Sequence, residues 1–450
     1  MTLYPFQSEG VRSLLTRKSI LLADEMGLGK TVQAATALKE LFEQRAIRRA
    51  LIICPASLCL NWKHEIARWC GRPSVIYQGA DRYGMLEGSA PILIGSFETL
   101  SADLQRVTHG GEQFYDIGID VLIIDEAQRI KTPEGLRSKV ISKIVAPRRW
   151  AITGTPLENH PRELASILRF LEPNEFLRAS DIQDVAKILE FANQLILRRT
   201  KDEVGLELPA KTVARVKVAL LPEQASEYLR AREGILQSIK GMLDLSSATT
   251  VLLQGLQELR RIAVISDGGE SSKIDLVEEE MEEIASRGEK AVIFSSFANL
   301  ALPQCASRLS KFGALLYTGS MTTDERQLVH QRFLHDPEAK VICASLRAAG
   351  VGLTWTVASH VYHLDSWWNP QVLNQADDRV HRIGQNRPVL IKRLIAEETI
   401  EEAIEGLLDI KEDIFELVIG DRPLSTVHAS PFSSLLSLIQ DGPSEIRAVG

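Results

Sequence analysis

The chain alternates short, unbroken apolar runs with longer stretches whose apolar positions recur at helical spacing. Runs at Ile20-Leu21-Leu22, Leu51-Ile52-Ile53, Ile92-Leu93-Ile94, Val121-Leu122-Ile123-Ile124, Val292-Ile293-Phe294, Val341-Ile342 and Val361-Tyr362 predict strands. They do not alternate with polar residues, so both faces of each strand are expected to be covered, as in parallel sheets flanked by helices. The pattern fills residues 1–165 and returns in residues 271–420. Residues 166–270 read instead as a helical insertion (Phe191, Leu195-Ile196-Leu197; Leu252-Leu253, Leu256, Leu259) ending in a linker near Asp267–Ser272. Ile400, Ile404, Leu407-Leu408, Ile414 and Val418 have the spacing of a helix that braces the second lobe, and 421–450 is a mixed tail. The expected class is α/β: two parallel-sheet lobes, a helical insertion between them and a C-terminal bracing helix.

Composition narrows the setting. With 45% hydrophobic and 25% charged residues, the 450-residue chain has the balance of a soluble protein of two or three domains. No apolar run approaches a bilayer span, and the opening residues carry no signal-peptide pattern, so no membrane partner is expected. Cys54, Cys59, Cys70, Cys305 and Cys343 form no CxxC pair, which predicts neither zinc nor disulfides and suits reduced thiols inside a cell. A net charge of −7 neither announces nucleic-acid binding nor excludes it, because a basic groove can sit on an acidic molecule.

Three segments carry chemistry. Asp24-Glu25-Met26-Gly27-Leu28-Gly29-Lys30-Thr31 follows the first apolar run and precedes a helical pattern. Closely spaced glycines leave backbone N–H groups free to surround phosphate, Lys30 can meet the β/γ-phosphates, and the Thr31 hydroxyl can hold Mg²⁺. Asp24 stands where such loops usually start with glycine, and a plain strand–turn–helix corner with a surface lysine is the competing reading. Asp125-Glu126 closes the fourth run, so Asp125 can reach a metal and Glu126 can orient or deprotonate water. In Gln375-Ala376-Asp377-Asp378-Arg379-Val380-His381-Arg382-Ile383-Gly384-Gln385, Arg379 and Arg382 are three apart and on a helix would share one face. Two guanidiniums there suit a transferring phosphate; the alternative is an exposed charged helix paired with Asp377 and Asp378.

With these segments in order, the chain resembles the SWI/SNF family of helicase-like ATPases, a branch of helicase superfamily two, over about residues 2–420. Tyr4-Pro5-Phe6-Gln7, the glycine loop, Cys54-Pro55-Ala56-Ser57-Leu58 with Asn61-Trp62, Gly95-Ser96-Phe97-Glu98-Thr99, Asp125-Glu126-Ala127-Gln128, Thr153-Gly154-Thr155-Pro156-Leu157-Glu158-Asn159 and Leu197-Arg198-Arg199-Thr200-Lys201 match in the first lobe. Ile293-Phe294-Ser295-Ser296-Phe297, Tyr317-Thr318-Gly319-Ser320, Gly350-Val351-Gly352-Leu353-Thr354, Asp365-Ser366-Trp367-Trp368-Asn369-Pro370 and the arginine block match in the second. Against the family's pattern, Gln128 replaces a common histidine and Thr132 an asparagine. An alanine of Arg347-Ala348-Ala349-Gly350 replaces a glycine, Thr354-Trp355 replaces asparagine-leucine, and Arg260-Arg261-Ile262-Ala263-Val264 replaces a helix end containing Cys and His. The changes at 349–355 bear on coupling to DNA.

The resemblance implies two RecA-like lobes with Mg·ATP between them. Lobe one would supply Gln7 to adenine, Asp24, Gly27, Gly29, Lys30 and Thr31 from the loop, and Asp125 and Glu126, with Thr31 and Asp125 on Mg²⁺. Lobe two would supply Gly352, Arg379 and Arg382, while Thr153, Thr155, Asp365 and Gln375 link nucleotide state to lobe position. Double-stranded DNA would contact Ser57, Trp62, Ser96 and Lys131 in lobe one, and Ser320, Arg326, Arg347, Thr354 and Trp368 in lobe two. Trp62 and Trp368 also read as core residues. The expected activity is DNA-stimulated ATP hydrolysis with translocation along duplex DNA and little strand separation, serving nucleoprotein remodelling or repair. A monomeric motor is expected, directed by a separate partner protein, in a bacterial cytoplasm or nucleoid or a eukaryotic nucleus. Two rivals stand: an unwinding helicase on DNA or RNA, and a nucleotide-gated DNA-binding scaffold with vestigial hydrolysis. The first would lack the Leu-Arg-Arg-Thr-Lys and Trp-Trp-Asn-Pro segments, and the second needs a broken catalytic residue that the sequence does not display. The sequence shows no attached chromatin-reading, zinc or nuclease module, as for a stripped-down motor or a fragment.

Overall fold

In the computed structural model, which describes residues 2–107, 118–130, 135–154, 161–176, 185–240, 245–349, 353–367, 370–407 and 439, every predicted run is a strand. Seven strands form one parallel sheet: β1 (Ser19–Leu22), β2 (Ala50–Cys54), β3 (Ser74–Ile76), β4 (Ile92–Ser96), β5 (Val121–Asp125), β6 (Arg148–Ile152) and β7 (Ile196–Leu197). Their order is β3-β4-β2-β5-β6-β1-β7. Each residue of β1, β2, β4 and β5 is buried, the condition that an unbroken apolar run satisfies. Six more strands form a second parallel sheet: β8 (Lys211–Val218), β9 (Ala291–Ser295), β10 (Leu315–Tyr317), β11 (Val341–Ser345), β12 (His360–His363) and β13 (Val389–Ala396). Here the order is β10-β11-β9-β12-β13-β8. The sheets belong to separate compact units, residues 1–207 and 208–450. Two parallel-sheet α/β lobes are therefore the architecture.

Register matters more than strand count for the site. Leu22 and Asp125 both stand opposite Ile152, so the ends of β1, β6 and β5 are level. In open α/β sheets ligands gather beyond the carboxyl ends of the strands. The glycine loop leaves β1 at that edge, Glu126 leaves β5 and Thr153 leaves β6.

The stretch 166–270 holds two strands that periodicity did not reveal. The helix Val185–Leu195 stops where Ile196 and Leu197 pair in parallel with Leu21 and Leu22, satisfying the backbone groups on the open edge of β1. Leu195-Ile196-Leu197 fits a helical or an extended period equally well, and pairing decides. β8 is an edge strand with Lys211, Thr212, Val213, Arg215 and Lys217 exposed, so it contains no unbroken apolar run to find. The helices of this stretch divide between the units. Ile188 and Ala192 join the first core, while Pro222–Ile239 and Leu245–Val264 pack in the second.

The bracing helix is present as Ile400–Leu407; Ile400 and Ile404 are buried against Tyr228, Leu252, Leu256 and Leu259. Its Glu401 receives the Lys273 ammonium at 2.5 Å, with both side chains fully buried. Leu408, Ile414, Val418 and most of the tail lie outside the described residues, but Ile439 joins the same cluster and accepts a hydrogen bond from Arg232 Nε (2.8 Å). No helix among the described residues is long and apolar enough to cross a membrane.

Candidate functional site

The glycine loop is set by its two positive-φ glycines, Gly27 (φ 89°) and Gly29 (φ 74°), the latter capping the helix Lys30–Glu43 in the left-handed region. A side chain on Gly29 would also meet Gln7 Nε2 at 2.5 Å. Gln7 is placed against the loop by its own bonds: Nε2 donates to the Leu28 carbonyl (3.2 Å) and Oε1 accepts from the Tyr4 N–H (3.1 Å). Lys30 Nζ donates to the main-chain oxygens of Asp24 (2.7 Å) and Glu25 (3.2 Å), beside half-buried Thr31. A Cβ on Gly154 would stand 3.1 Å from that ammonium, so the segment after β6 closes on the lysine.

Asp24 does not face the loop's interior. Its carboxylate is fully buried and accepts from Arg199 Nε (3.0 Å), an Arg199 terminal nitrogen (2.6 Å) and Gln33 Nε2 (3.0 Å). This corrects its assignment as a nucleotide contact: an acid here would repel phosphate, and Arg199 turns it inward as an anchor. Burial opposes the Arg199 charge, yet Asp24 and Glu9 outweigh that and hold its pKa above the ordinary value. Arg199 also donates to the Phe6 carbonyl (2.6 Å). The same segment is stitched to the loop through its backbone, by Ala23 N–H to Leu197 O and Glu25 N–H to Arg199 O, each 2.8 Å. Glu25 in turn accepts from the Lys201 N–H (2.8 Å) and Nζ (3.2 Å).

At the end of β5, Asp125 Oδ2 accepts from Trp62 Nε1 (2.8 Å) and Oδ1 from the Glu126 N–H (2.9 Å). Burial, then the neighbouring Glu126 carboxylate, push the Asp125 carboxyl up to about 7, against the pull of those two donors and of Lys30. Glu126 is one of three non-glycine residues with positive φ (55°) among those described. Such backbone strain persists only where surrounding structure over-determines it. Gln128 Nε2 holds Glu126 Oε2 (2.6 Å), and Gln128 Oε1 accepts from the Thr153 hydroxyl (2.9 Å). A relay thus runs from the acid to the end of β6 through Gln128.

In the second unit the arginine block is not a continuous helix. The helix Pro370–Asp377 ends before both arginines, which lie in the turns that follow. The Arg379 carbonyl accepts from the Trp355 N–H (2.7 Å), which ties this turn to the segment before β12. Arg379 is nearly fully buried, whereas half-buried Arg382 donates to the Leu353 carbonyl (3.2 Å) and the Thr354 hydroxyl (2.9 Å). Asp377 is fully buried against His363 Nε2 (2.7 Å) and Lys211 (3.5 Å), which locks the block to β12 and β8.

Compared with known proteins, residues 6–265, more than half the chain, match the SNF2-related domain, and residues 272–384 match the helicase conserved C-terminal domain. The chain belongs to the SNF2-related family of helicase-like ATPases. An uncharacterized ATP-dependent helicase of Mycoplasma genitalium is 31% identical over 91% of this chain and 41% of its own length. The ISWI chromatin-remodeling complex ATPase ISW1 of Saccharomyces cerevisiae is 29% identical over 100% of this chain and 44% of its own. The chain therefore spans less than half the length of either. The Sulfolobus solfataricus SWI2/SNF2 ATPase core in complex with dsDNA is 28% identical, covers 100% of this chain and 98% of that one, and has a TM-score of 0.43.

Within this SNF2-related chain, two of the residues read as DNA contacts are engaged elsewhere. Trp62 is fully buried, its indole spent on Asp125, and so cannot lean on DNA. Ser96 is buried and its hydroxyl accepts from the Thr99 N–H (3.0 Å), capping the helix Phe97–Val107. Ser57 and Ser320 are exposed, Ser320 sharing a hydrogen bond with Thr318 (2.8 Å), while Arg326 is half-buried. Arg347 lies in the short helix Leu346–Ala349. Lys131, Thr155, Gly352 and Trp368 lie outside the described residues. Asp365 is buried, accepts from the Ser296 N–H (2.8 Å) and hydroxyl, and faces the fully buried Arg260 (3.4 Å); Gln375 is half-buried on the helix before the arginines. Arg199, Gln33 and Arg260 are the positioning residues that sequence reasoning missed. Arg199 and Arg260 were noted only as parts of a matching and a departing segment.

Proposed function

We propose that the chain is a DNA-dependent ATP hydrolase that translocates along double-stranded DNA with little strand separation, remodelling nucleoprotein or DNA structure. The reading rests chiefly on the row of groups at the ends of β1, β5 and β6. Lys30 offers a cation to the β/γ-phosphates, Asp125 offers a dehydrated carboxylate, and Glu126 is aimed by Gln128 and Thr153 to orient a water. Arg379 and Arg382 are assigned to the same triphosphate, where they neutralise charge that builds on its oxygens. Duplex DNA as the track is supported by family membership and by the chromatin-remodeling ATPase among the relatives. A separate targeting partner belongs to the same proposal.

Mg²⁺ fits the residues present. Asp125 is dehydrated and stands beside a second carboxylate, a pairing that a cation relieves, and the Thr31 hydroxyl stands at the start of the helix leaving the loop. Among the described residues no cluster of three or more His, Cys, Asp or Glu could hold a metal alone. That suits an ion bound by one or two protein oxygens plus substrate phosphates. When bound, it neutralises phosphate charge.

Glu126→Gln tests the core of this reading. Loss of a positioned base lowers turnover by roughly 10²–10⁴-fold, so ATP hydrolysis with saturating duplex should fall into that range while duplex binding by gel shift persists. Wild-type-like turnover would remove Glu126 from the chemistry. Stimulation by single strands in preference to duplex, with efficient strand displacement, would favour the unwinding helicase. Duplex affinity should also fall steeply between low and moderate salt, because log K drops by about 0.9 per phosphate contact for each decade of salt. An affinity indifferent to salt would contradict binding along the backbone.

A further inference from the structure

The segment Leu353-Thr354-Trp355 touches both arginines in succession. Arg382 donates to the Leu353 carbonyl at 3.2 Å and to Thr354 Oγ1 at 2.9 Å, and the Trp355 N–H donates to the Arg379 carbonyl at 2.7 Å. The segment is itself anchored. The Trp355 indole is fully buried, with its ring centroid 5.6 Å from Tyr317, 6.1 Å from Phe294 and 6.2 Å from Phe333. Its Nε1 donates to His330 Nδ1 at 3.0 Å, on the helix Thr323–His335. Thr354 thus offers Arg382 a hydroxyl, and Trp355 gives His330 an N–H that an aliphatic side chain lacks.

We propose that Thr354 and Trp355 are positioning residues that hold the arginine block in its working geometry, Thr354 by orienting the Arg382 guanidinium and Trp355 by fixing the Arg379 backbone. This rests on the reading of Arg382 as a group that acts on the transferring phosphate. It reassigns Thr354, read from sequence as a DNA contact, to the nucleotide side. A guanidinium at the end of a long flexible side chain visits many rotamers, and a hydroxyl on one side with a carbonyl on the other select a few of them before substrate arrives. Trp355 secures that arrangement because its ring is packed on three aromatic neighbours from β9, β10 and the helix Thr323–His335, and its N–H has an acceptor. His330 accepts at Nδ1, so its proton is on Nε2; burial, followed by the charge of His335, lowers its pKa to about 4 and keeps it a neutral acceptor near pH 7.

Thr354→Val removes the hydroxyl at nearly constant shape, and Thr354→Ser returns it. With saturating duplex, Thr354→Val should lower kcat by roughly tenfold, since a hydrogen bond to a charged group is worth at least about one such factor. KM for ATP and duplex affinity measured without nucleotide should stay within about twofold, and Thr354→Ser should recover most of kcat. An unchanged kcat in Thr354→Val overturns the inference, as does failure of Thr354→Ser to rescue. Equal losses of duplex affinity and kcat would return Thr354 to the DNA surface and overturn it as well. Arg382→Ala serves as the control: if it turns over like wild type, the reading of the site itself fails, whereas a dead Arg382→Ala beside a normal Thr354→Val sinks only this inference.

Discussion

Arg382→Ala is expected to reduce ATP turnover at saturating ATP and duplex by about 10³-fold or more, with duplex affinity changed by no more than a few-fold. Arginines that neutralise charge on a transferring phosphoryl group contribute roughly 10³–10⁵ in turnover, which corresponds to about 4–7 kcal/mol of barrier. Arg382 is the better test of the pair because it is only half-buried, donating to a carbonyl and a hydroxyl. Arg379 is nearly fully buried and its carbonyl holds Trp355, so truncation there would also disturb packing. Arg382→Lys should rescue little, since an ammonium keeps the charge but not the planar fork. Steady-state hydrolysis read beside a gel shift decides the matter, and a loss below tenfold would take Arg382 out of the reaction.

Arg199→Met should cost the first unit about 3–5 kcal/mol, because it strands the fully buried Asp24 carboxylate with Gln33 as its remaining side-chain donor among the bonds described above. For a unit of 207 residues, each kcal/mol moves the midpoint by about 2–4 °C, so melting of residues 1–207 should begin roughly 10 °C earlier. Replacing both partners, Asp24→Met with Arg199→Met, should recover much of the loss, since well-packed apolar pairs substitute for buried ion pairs. Nucleotide affinity should fall with Arg199→Met, because the loop, Gln7 and the helix Pro5–Thr16 meet at this anchor. A melting curve identical to wild type would show that Asp24 does not need its partner.

What was legible in the chain was whatever is local. The runs that became β2, β4, β5, β9 and β11 are apolar throughout because both faces are covered, and the glycine loop and acid pair are contiguous. Features assembled from distant segments were not. Asp24 looked like a loop residue because its partner lies 175 positions away, and Trp62 read both as a DNA contact and as a core residue because its acceptor lies 63 away. β8 escaped because an edge strand that exposes most of its residues resembles a polar connector, and β7 because two residues carry no period. The arginines were placed on one helical face by their spacing, but the helix stops at Asp377 and both lie in the turns that follow, where the Trp355 N–H pairs with the Arg379 carbonyl. Spacing reports the neighbours a residue has within its own element, and long-range pairing can override it.

The short strand Ile196–Leu197 and the residues just after it are tied to the glycine loop and the residue before it by six bonds, two of them between main chains. The strap by which the polypeptide departs its first body is thus hooked onto the floor on which phosphate would rest. Any displacement of that floor must either haul the strap along or tear those bonds. A shift of the loop would therefore be felt first by the outgoing tether, through bonds that bypass the packed interior.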